Sequence, residues 1–394
     1  MTQTISAGSA TEREKFRSGH LREEAHMDIS SPWWTALAGL ALGGVAGFAV
    51  FRARLCTFGA MEDAMVGRDW RRMKVFALAL GVAVIGTQVF ALAGIFDPER
   101  TNYVTTALPW LGILAGGILF GLGMALVGTC AFGSLVRLGS GDLRSLVVLL
   151  VYGAVAYATL RGIFAVIRVD GVERIAVALP AGTRSDLPSL LGWLTGHDFR
   201  ALLAACLGVG LMAPALVDRR LRRAGRLMTA GVLLGLGVVG GWLATTLLVD
   251  EFAHSAPPQS LTFVSPVART LFGVLFEQSS LAEFGTGSVV GVALGAFLAA
   301  RLADELRWEA FDDPREMKRH LLGAVLMGSG GILCGGCTIG QGLTAGSLFA
   351  LSWPLAVAGM ALGARLGIAL LMEGSLSGLV RQMVVGRFGF HNKP

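Results

Sequence analysis

The chain has 394 residues, is 54 % hydrophobic and only 15 % charged, and has a mean hydropathy of +0.64; a soluble domain carries roughly 25 % charged residues. This excludes an ordinary soluble enzyme or binding domain and defines an integral membrane protein. The net charge of +6 is almost all arginine, with four lysines, and gathers in short loops instead of a stripe, so it excludes a nucleic-acid partner and reads as a topology signal.

In chain order, residues 1–32 mix Glu12, Lys15, Arg17, Arg22, Glu23 and Glu24 and read as a disordered polar tail. The apolar run from Trp33 is too long for a signal-peptide core and reads as a retained span. A helix needs about 20 residues to cross ~30 Å of hydrocarbon. Nine segments meet or approach that length: 33–54, 72–96, 108–129, 143–168, 200–217, 226–249, 285–302, 320–337 and 351–373. The expected fold class is therefore an all-α polytopic membrane protein. Nine crossings put the termini on opposite sides. Arg219, Arg220, Arg222, Arg223 and Arg226 mark the fifth-to-sixth loop as cytoplasmic, and counting by twos brings Arg68, Arg71, Arg72 and Lys74, and then Arg315, Lys318 and Arg319, to the same side. The N-terminus is expected to be periplasmic and the C-terminus cytoplasmic.

Short Gly-bounded pieces at 57–66, 131–138, 259–276 and 338–347 cannot cross and are expected as re-entrant half-helices. Three of them adjoin a cysteine followed three residues later by glycine: Cys56 and Gly59, Cys130 and Gly133, Cys337 and Gly340. Gly139 and Gly346 each lie nine residues beyond the second and third cysteine, which makes those two motifs equivalent points of an internal repeat. They end spans of opposite direction, so the repeat is inverted. The expected plan is a tail at 1–32, a first transmembrane repeat at 33–168, a periplasmic loop and connector helix at 169–225, a second repeat at 226–373 and a cytoplasmic tail at 374–394.

A half-helix starting near the midplane presents free backbone N–H groups and the positive end of its dipole, and attracts anions. Thr57, Ser134 and Thr338 add hydroxyl donors there, and Gly59, Gly133 and Gly340 let a solute approach the backbone. Neutral thiols at Cys56, Cys130 and Cys337 are polarizable weak donors suited to a soft sulfur atom. Weak, repeated binding also suits conduction. Cys206 reads as a small buried hydrophobe. Cys334 completes a C-x-x-C with Cys337 and is either auxiliary to the route or a redox partner. Gln88 and Gln341 either line a passage or satisfy broken backbone, and Arg161 and Arg365 either draw an anion in or snorkel. Glu62 and Asp63 are expected to pair with Arg52, Arg54 or Arg68. Five cysteines and six histidines argue against a structural metal, no cofactor is implied, and no G-x-x-x-x-G-K-[ST] sequence supports nucleotide-driven transport.

Cys56-Thr57-Phe58-Gly59-Ala60-Met61, the stretch from Gly121 to Gly139 with Gly128-Thr129-Cys130, and Gly335-Gly336-Cys337-Thr338 with its Gly-rich continuation together resemble the YeeE/YedE family of sulfur-compound permeases over most of residues 33–373. The resemblance implies a bacterial inner-membrane carrier, not an enzyme, that takes up thiosulfate through an hourglass-shaped molecule narrowed by inward loops. It gives Cys130 and Cys337 the role of pore cysteines and makes Cys56 the third. It also implies transfer of sulfur to a small cytoplasmic TusA-type carrier protein, expected here as a separate polypeptide. The chain departs from the family pattern in having no thiol within 259–276, where Ser260 or Ser265 stands as a substitute donor. That departure leaves a selenium compound open as the substrate. A reading from another class, a membrane thiol oxidoreductase, would rest on Cys334 and Cys337.

Overall fold

The computed structural model describes residues 32–180, 183–197, 199–248, 257–276 and 281–373, so the tails expected at 1–32 and 374–394 lie outside the described residues except at Pro32. Its principal helices are α1 (Pro32–Ala53), the short α2 (Thr57–Met65), α3 (Arg71–Leu92), α4 (Trp110–Val127), the short α5 (Ala131–Gly139), α6 (Leu143–Leu160) and α7 (Arg200–Val217). They continue with α8 (Gly225–Leu247), the short α9 (Ser265–Leu275), α10 (Phe284–Leu302), α11 (Pro314–Leu333), the single π-helical turn α12 (Gly340–Ala345) and α13 (Ser352–Glu373). All nine expected spans are present as helices. Eight are long and apolar enough to cross a membrane; α11 differs because Arg315, Glu316, Lys318 and Arg319 occupy its first two turns.

Several bounds differ from expectation. The fourth span stops at Leu160, where Arg161 caps it, and residues 163–172 form short helical turns instead of extending it. The second span stops at Leu92, where Ala93 and then the left-handed Gly94 end the helix. The piece expected at 259–276 is helical only from Ser265, since Pro266 fits the first turn of a helix and no later position. The chain's two-stranded sheet, β1 (Ala107–Leu108) with β2 (Val177–Ala178), ties two connecting segments together at one face.

The two halves repeat each other. Numbered as above, each element α1 to α6 corresponds to the one seven places on, with α7 as the connector. The contacts respect this exchange: α1 packs on α10 and α8 on α3, α4 on α13 and α11 on α6, α9 on α6 and α2 on α13, and α10 on α5 and α3 on α12. Direction is equally consistent. Gly39, Gly43 and Gly47 of α1 meet Phe284, Ser288 and Val292 of α10 in parallel order, whereas Gly116 and Gly123 of α4 meet Gly330 and Gly323 of α11 in antiparallel order. Equivalent helices α4 and α11 therefore run oppositely, which is the inverted arrangement. The parity matches nine successive crossings.

Glycine makes these seams. Gly39, Gly43 and Gly47 lie against the backbone of Phe284, Ser288 and Val292, and Gly287, Gly291 and Gly295 against that of Ala36, Leu40 and Gly44, so a Cβ on any of them would overlap a backbone carbonyl of the partner helix. Across α4 and α13, Gly117 and Gly359 meet directly, while Gly121 and Gly363 lie against the carbonyls of Met360 and Ile118. Lipid tails give apolar side chains little reason to leave them, so close backbone packing is what holds such helices together.

Candidate functional site

Two sharp turns set the centre of the molecule. Gly128 (φ +77°) ends α4 and Gly335 (φ +76°) follows α11 in the left-handed conformation. Glycine alone adopts it without strain. Each turn delivers a cysteine to the N-terminus of the next helix: Cys130 is the N-cap of α5, and Cys337 stands just before α12. The two thiols take the same local bond. Gly133 N–H donates to Cys130 Sγ at 3.4 Å, and Gly340 N–H donates to Cys337 Sγ at 3.3 Å. Glycine three residues past the cysteine leaves room for a threonine hydroxyl to close on the backbone there, Thr129 against Gly133 and Thr262 against Gly340, which is the local reason for the C-x-x-G spacing.

The structure brings the predicted donors together. Cys56 Sγ lies 3.7 Å from Thr129 Oγ1, and Cys130 Sγ lies 3.9 Å from Thr57 Oγ1, so the Cys-Thr step before α2 and the Thr-Cys step before α5 pair reciprocally. Cys130 also lies within electrostatic reach of Cys56 and Cys337, with the Thr338 side chain beside it. Cys130 and Cys337 are fully buried, and Cys56 is half-buried. The Ser134 and Thr338 hydroxyls, from equivalent half-helices, are buried with no hydrogen-bond partner of good geometry. A buried hydroxyl left unmatched costs about 1–3 kcal/mol. The cost recurs on both halves, at Ser134 one turn past Cys130 and at Thr338 directly after Cys337.

Other expected residues take different places. Gln341 donates to Cys334 C=O at 2.8 Å and accepts from Ser352 Oγ at 3.3 Å, so it braces the broken end of α11 instead of lining a passage. Gln88 does likewise, donating to Ser347 C=O at 2.7 Å. The Cys334 thiol donates to Gly336 C=O at 2.9 Å within the turn. Ser260 is spent on Val238 C=O at 2.6 Å, and Ser265 lies in a cavity at one face, apart from the thiols. Arg161 and Arg365 are exposed. Cys206 is exposed as well, not buried as expected, because the connector α7 packs mainly on α3 and leaves most of its surface uncovered. Asp63 pairs with Arg72 at 3.1 Å, not with the arginines expected, because the turn between α2 and α3 folds Arg72 back over Gly59.

Sequence reasoning missed Thr129, Tyr103 and Thr262. The Thr262 hydroxyl and, behind it, the Tyr103 hydroxyl stand where a Cβ on Gly340 would go, so these two close the space over Cys337. Tyr103 is one of only three tyrosines in the chain and sits in a loop of low charge; that scarcity was the available signal. Phe263, next to Thr262 in the chain, is fixed by accepting from Tyr152 Oη at 3.0 Å through its carbonyl and by packing its ring 4.9 Å from that of Phe132.

Broken helices from two inverted halves, meeting at thiols and hydroxyls deep inside a polytopic bundle, define a membrane transport protein. The family model described as sulphur transport matches residues 52–366, and the chain belongs to this family, the YeeE/YedE permeases. It is 28 % identical over 317 residues to the thiosulfate transporter TsuA of Escherichia coli K12, covering 78 % of this chain and 86 % of that protein. It is 27 % identical over 357 residues to the thiosulfate transporter TsuA of Spirochaeta thermophila, covering 81 % and 93 % respectively.

Proposed function

We propose that this protein is a permease that takes up thiosulfate across a bacterial inner membrane, passing the anion between Cys56, Cys130 and Cys337. The observation that carries this reading is the pair of buried, unpartnered hydroxyls on the two central half-helix starts, Thr338 next to Cys337 in sequence and beside Cys130 in space, and Ser134 one turn past Cys130. An oxyanion seated there gains two hydroxyl donors and the free N–H groups at the start of a half-helix. Its terminal sulfur, soft and weakly basic, meets neutral thiols that hold it only loosely. No covalent step is required, so the protein acts as a carrier and not as an enzyme.

The orientation belongs to the same proposal. A cavity of about 500 Å³ holds Arg52, Arg54, Arg223 and Arg226 with Glu305, and another of about 200 Å³ holds Arg137, Arg144 and Arg319. Both lie at turns that the odd number of crossings assigns to one side, which the arginine excess marks as cytoplasmic. The N-terminus is then periplasmic and the C-terminus cytoplasmic, and a separate TusA-like sulfur carrier would receive the anion at the arginine-lined face. Uptake of labelled thiosulfate by purified protein in liposomes tests the function. Wild type is expected to load the vesicles, with Cys130→Ala and Cys337→Ala at least tenfold slower; absence of uptake by wild type, with and without ion gradients, overturns the reading.

A further inference from the structure

At the face opposite those arginines lies a cavity of about 210 Å³, lined among the described residues by Asn102, Tyr103, Gln259, Thr262, Ser265, Arg269, Glu283 and Gly335 with two prolines and Ser260. A single water requires ~10–15 Å³ by the same measure, so the space admits a small hydrated anion. Its floor is the Gly335 turn, and its inner wall is the Tyr103 and Thr262 pair that closes the space over Gly340 and Cys337. Arg269 is the one cation among those lining residues. It is engaged by Glu283 at 2.8 Å, both side chains being about one-third exposed (32 % and 35 %).

We propose that this cavity is the first anion station of the route and that Arg269 captures the incoming oxyanion by exchanging Glu283 for it. The inference rests on the thiosulfate reading and adds a residue that sets apparent affinity and favours oxyanions over neutral solutes. A carboxylate and an oxyanion compete for the same planar fork of guanidinium donors. The pair is wet and screened, so it opens at little cost, and Glu283 offers a built-in competitor that limits how tightly the anion is held. That matters for conduction, since an arginine with no rival would retain its guest. The neighbouring hydroxyls of Ser265 and Thr262 supply donors that carry the oxyanion inward from Arg269 towards Thr338 and Cys337.

The bland alternative is a clamp: Arg269 in α9 and Glu283 at the start of α10 hold a half-helix to the next span, as the Arg72 and Asp63 pair does between α3 and α2. The two roles separate cleanly. A clamp is lost equally from either end, so Arg269→Gln and Glu283→Gln would impair uptake alike. Exchange predicts opposite signs. In proteoliposomes Arg269→Gln should raise the KM for thiosulfate about tenfold, the worth of one hydrogen bond to a charged group, with the maximal rate within about twofold. Glu283→Gln should lower KM several-fold, the double variant should follow Arg269→Gln, and the wild-type KM should rise with ionic strength. If Arg269→Gln does not fold, Glu283→Gln and Arg269→Lys carry the test: a lowered KM in the first and a smaller rise in the second support exchange. Equal impairment from both ends, or a KM unmoved by Glu283→Gln, overturns it. Wild type that carries no thiosulfate overturns the transport reading and this inference together, whereas wild type that carries it with unaltered variants overturns this inference alone.

Discussion

The centre of the molecule and its two mouths obey different rules. At the centre the two halves agree in kind: a left-handed glycine two residues before a thiol that accepts from the amide three residues on, given by Gly128 and Cys130 in one half and by Gly335 and Cys337 in the other. Each half adds an unpartnered buried hydroxyl from a different position, Ser134 four residues past its cysteine and Thr338 directly after its own. At the mouths they diverge. The helix entered at Cys56 corresponds to the one entered at Val264, so one end has a thiol and the other has the hydroxyls of Ser265, Thr262 and Tyr103. Even the ion pair that bridges half-helix to span is reversed, with the acid on α2 at Asp63 and the base on α9 at Arg269. Two-fold symmetry places equivalent thiols and glycines at the middle of the molecule. Each mouth faces a different solution and carries its own chemistry.

The strongest test of this contrast is to remove the central thiols one at a time. Cys130→Ala and Cys337→Ala each delete one donor to a charged guest, worth about 1.5–3 kcal/mol, and thiosulfate uptake should fall at least tenfold in both. Equality of the two losses is the point to check. A large loss at one position with indifference at the other would mean that only one half forms the station. Close behind come the glycines beside the thiols, since a Cβ at Gly133 overlaps the Thr129 hydroxyl and one at Gly340 overlaps that of Thr262. Gly133→Ala and Gly340→Ala should lower uptake several-fold while leaving the yield of folded protein near wild type, because the atoms that must shift are side-chain hydroxyls and not backbone. A collapse in yield would place these glycines in the scaffold instead.

Cys56 should matter less than either central thiol. It is half-buried and has Thr129 as its neighbour, so Cys56→Ser should slow uptake only about twofold to threefold, measured as initial rate at low thiosulfate. Val264→Cys, which would make the outer helix start resemble the inner one, should leave the rate within about twofold of wild type, because Arg269 and the hydroxyls already serve that mouth. A large gain from Val264→Cys would show that a thiol had been limiting there.

Much of this was legible in the sequence, for identifiable reasons. Spans read well because hydrocarbon imposes one length on every helix. The inverted repeat read well because Cys130 and Cys337 carry matching glycines at equal spacing, and Ser134 and Thr338 were visible as donors next to them. What was not legible depended on contacts distant in sequence. The reciprocal pairing of Cys56 with Thr129 joins residues 73 apart, and nothing local to either announces it. Gln341 read equally as a pore lining or as a cap on broken backbone; its partner, Cys334 C=O, exists only after α11 has broken, so the choice could not be made from sequence. The glycine ladders of α1 with α10 were visible as composition, but which helix each would meet was not.

The smallest expected effect separates two thiols only three residues apart. Cys334 and Cys337 share one turn and are both fully buried, yet their bonds run in opposite senses: Cys334 gives its hydrogen to Gly336 C=O, whereas Cys337 receives one from Gly340 N–H. Cys334 is therefore a brace for the left-handed Gly335 turn. Cys334→Ala should cost about 0.5–1.5 kcal/mol of stability, seen as a drop of a few degrees in the Tm of the detergent-solubilised protein, with thiosulfate uptake close to wild type. Supplying a hydroxyl donor in place of the thiol, as in Cys334→Ser, should recover most of that Tm. A redox dithiol would behave otherwise, since it needs both sulfurs: loss of uptake in Cys334→Ser equal to that in Cys337→Ala would return the pair to oxidoreductase chemistry and remove Cys337 from the role of a lone, neutral station.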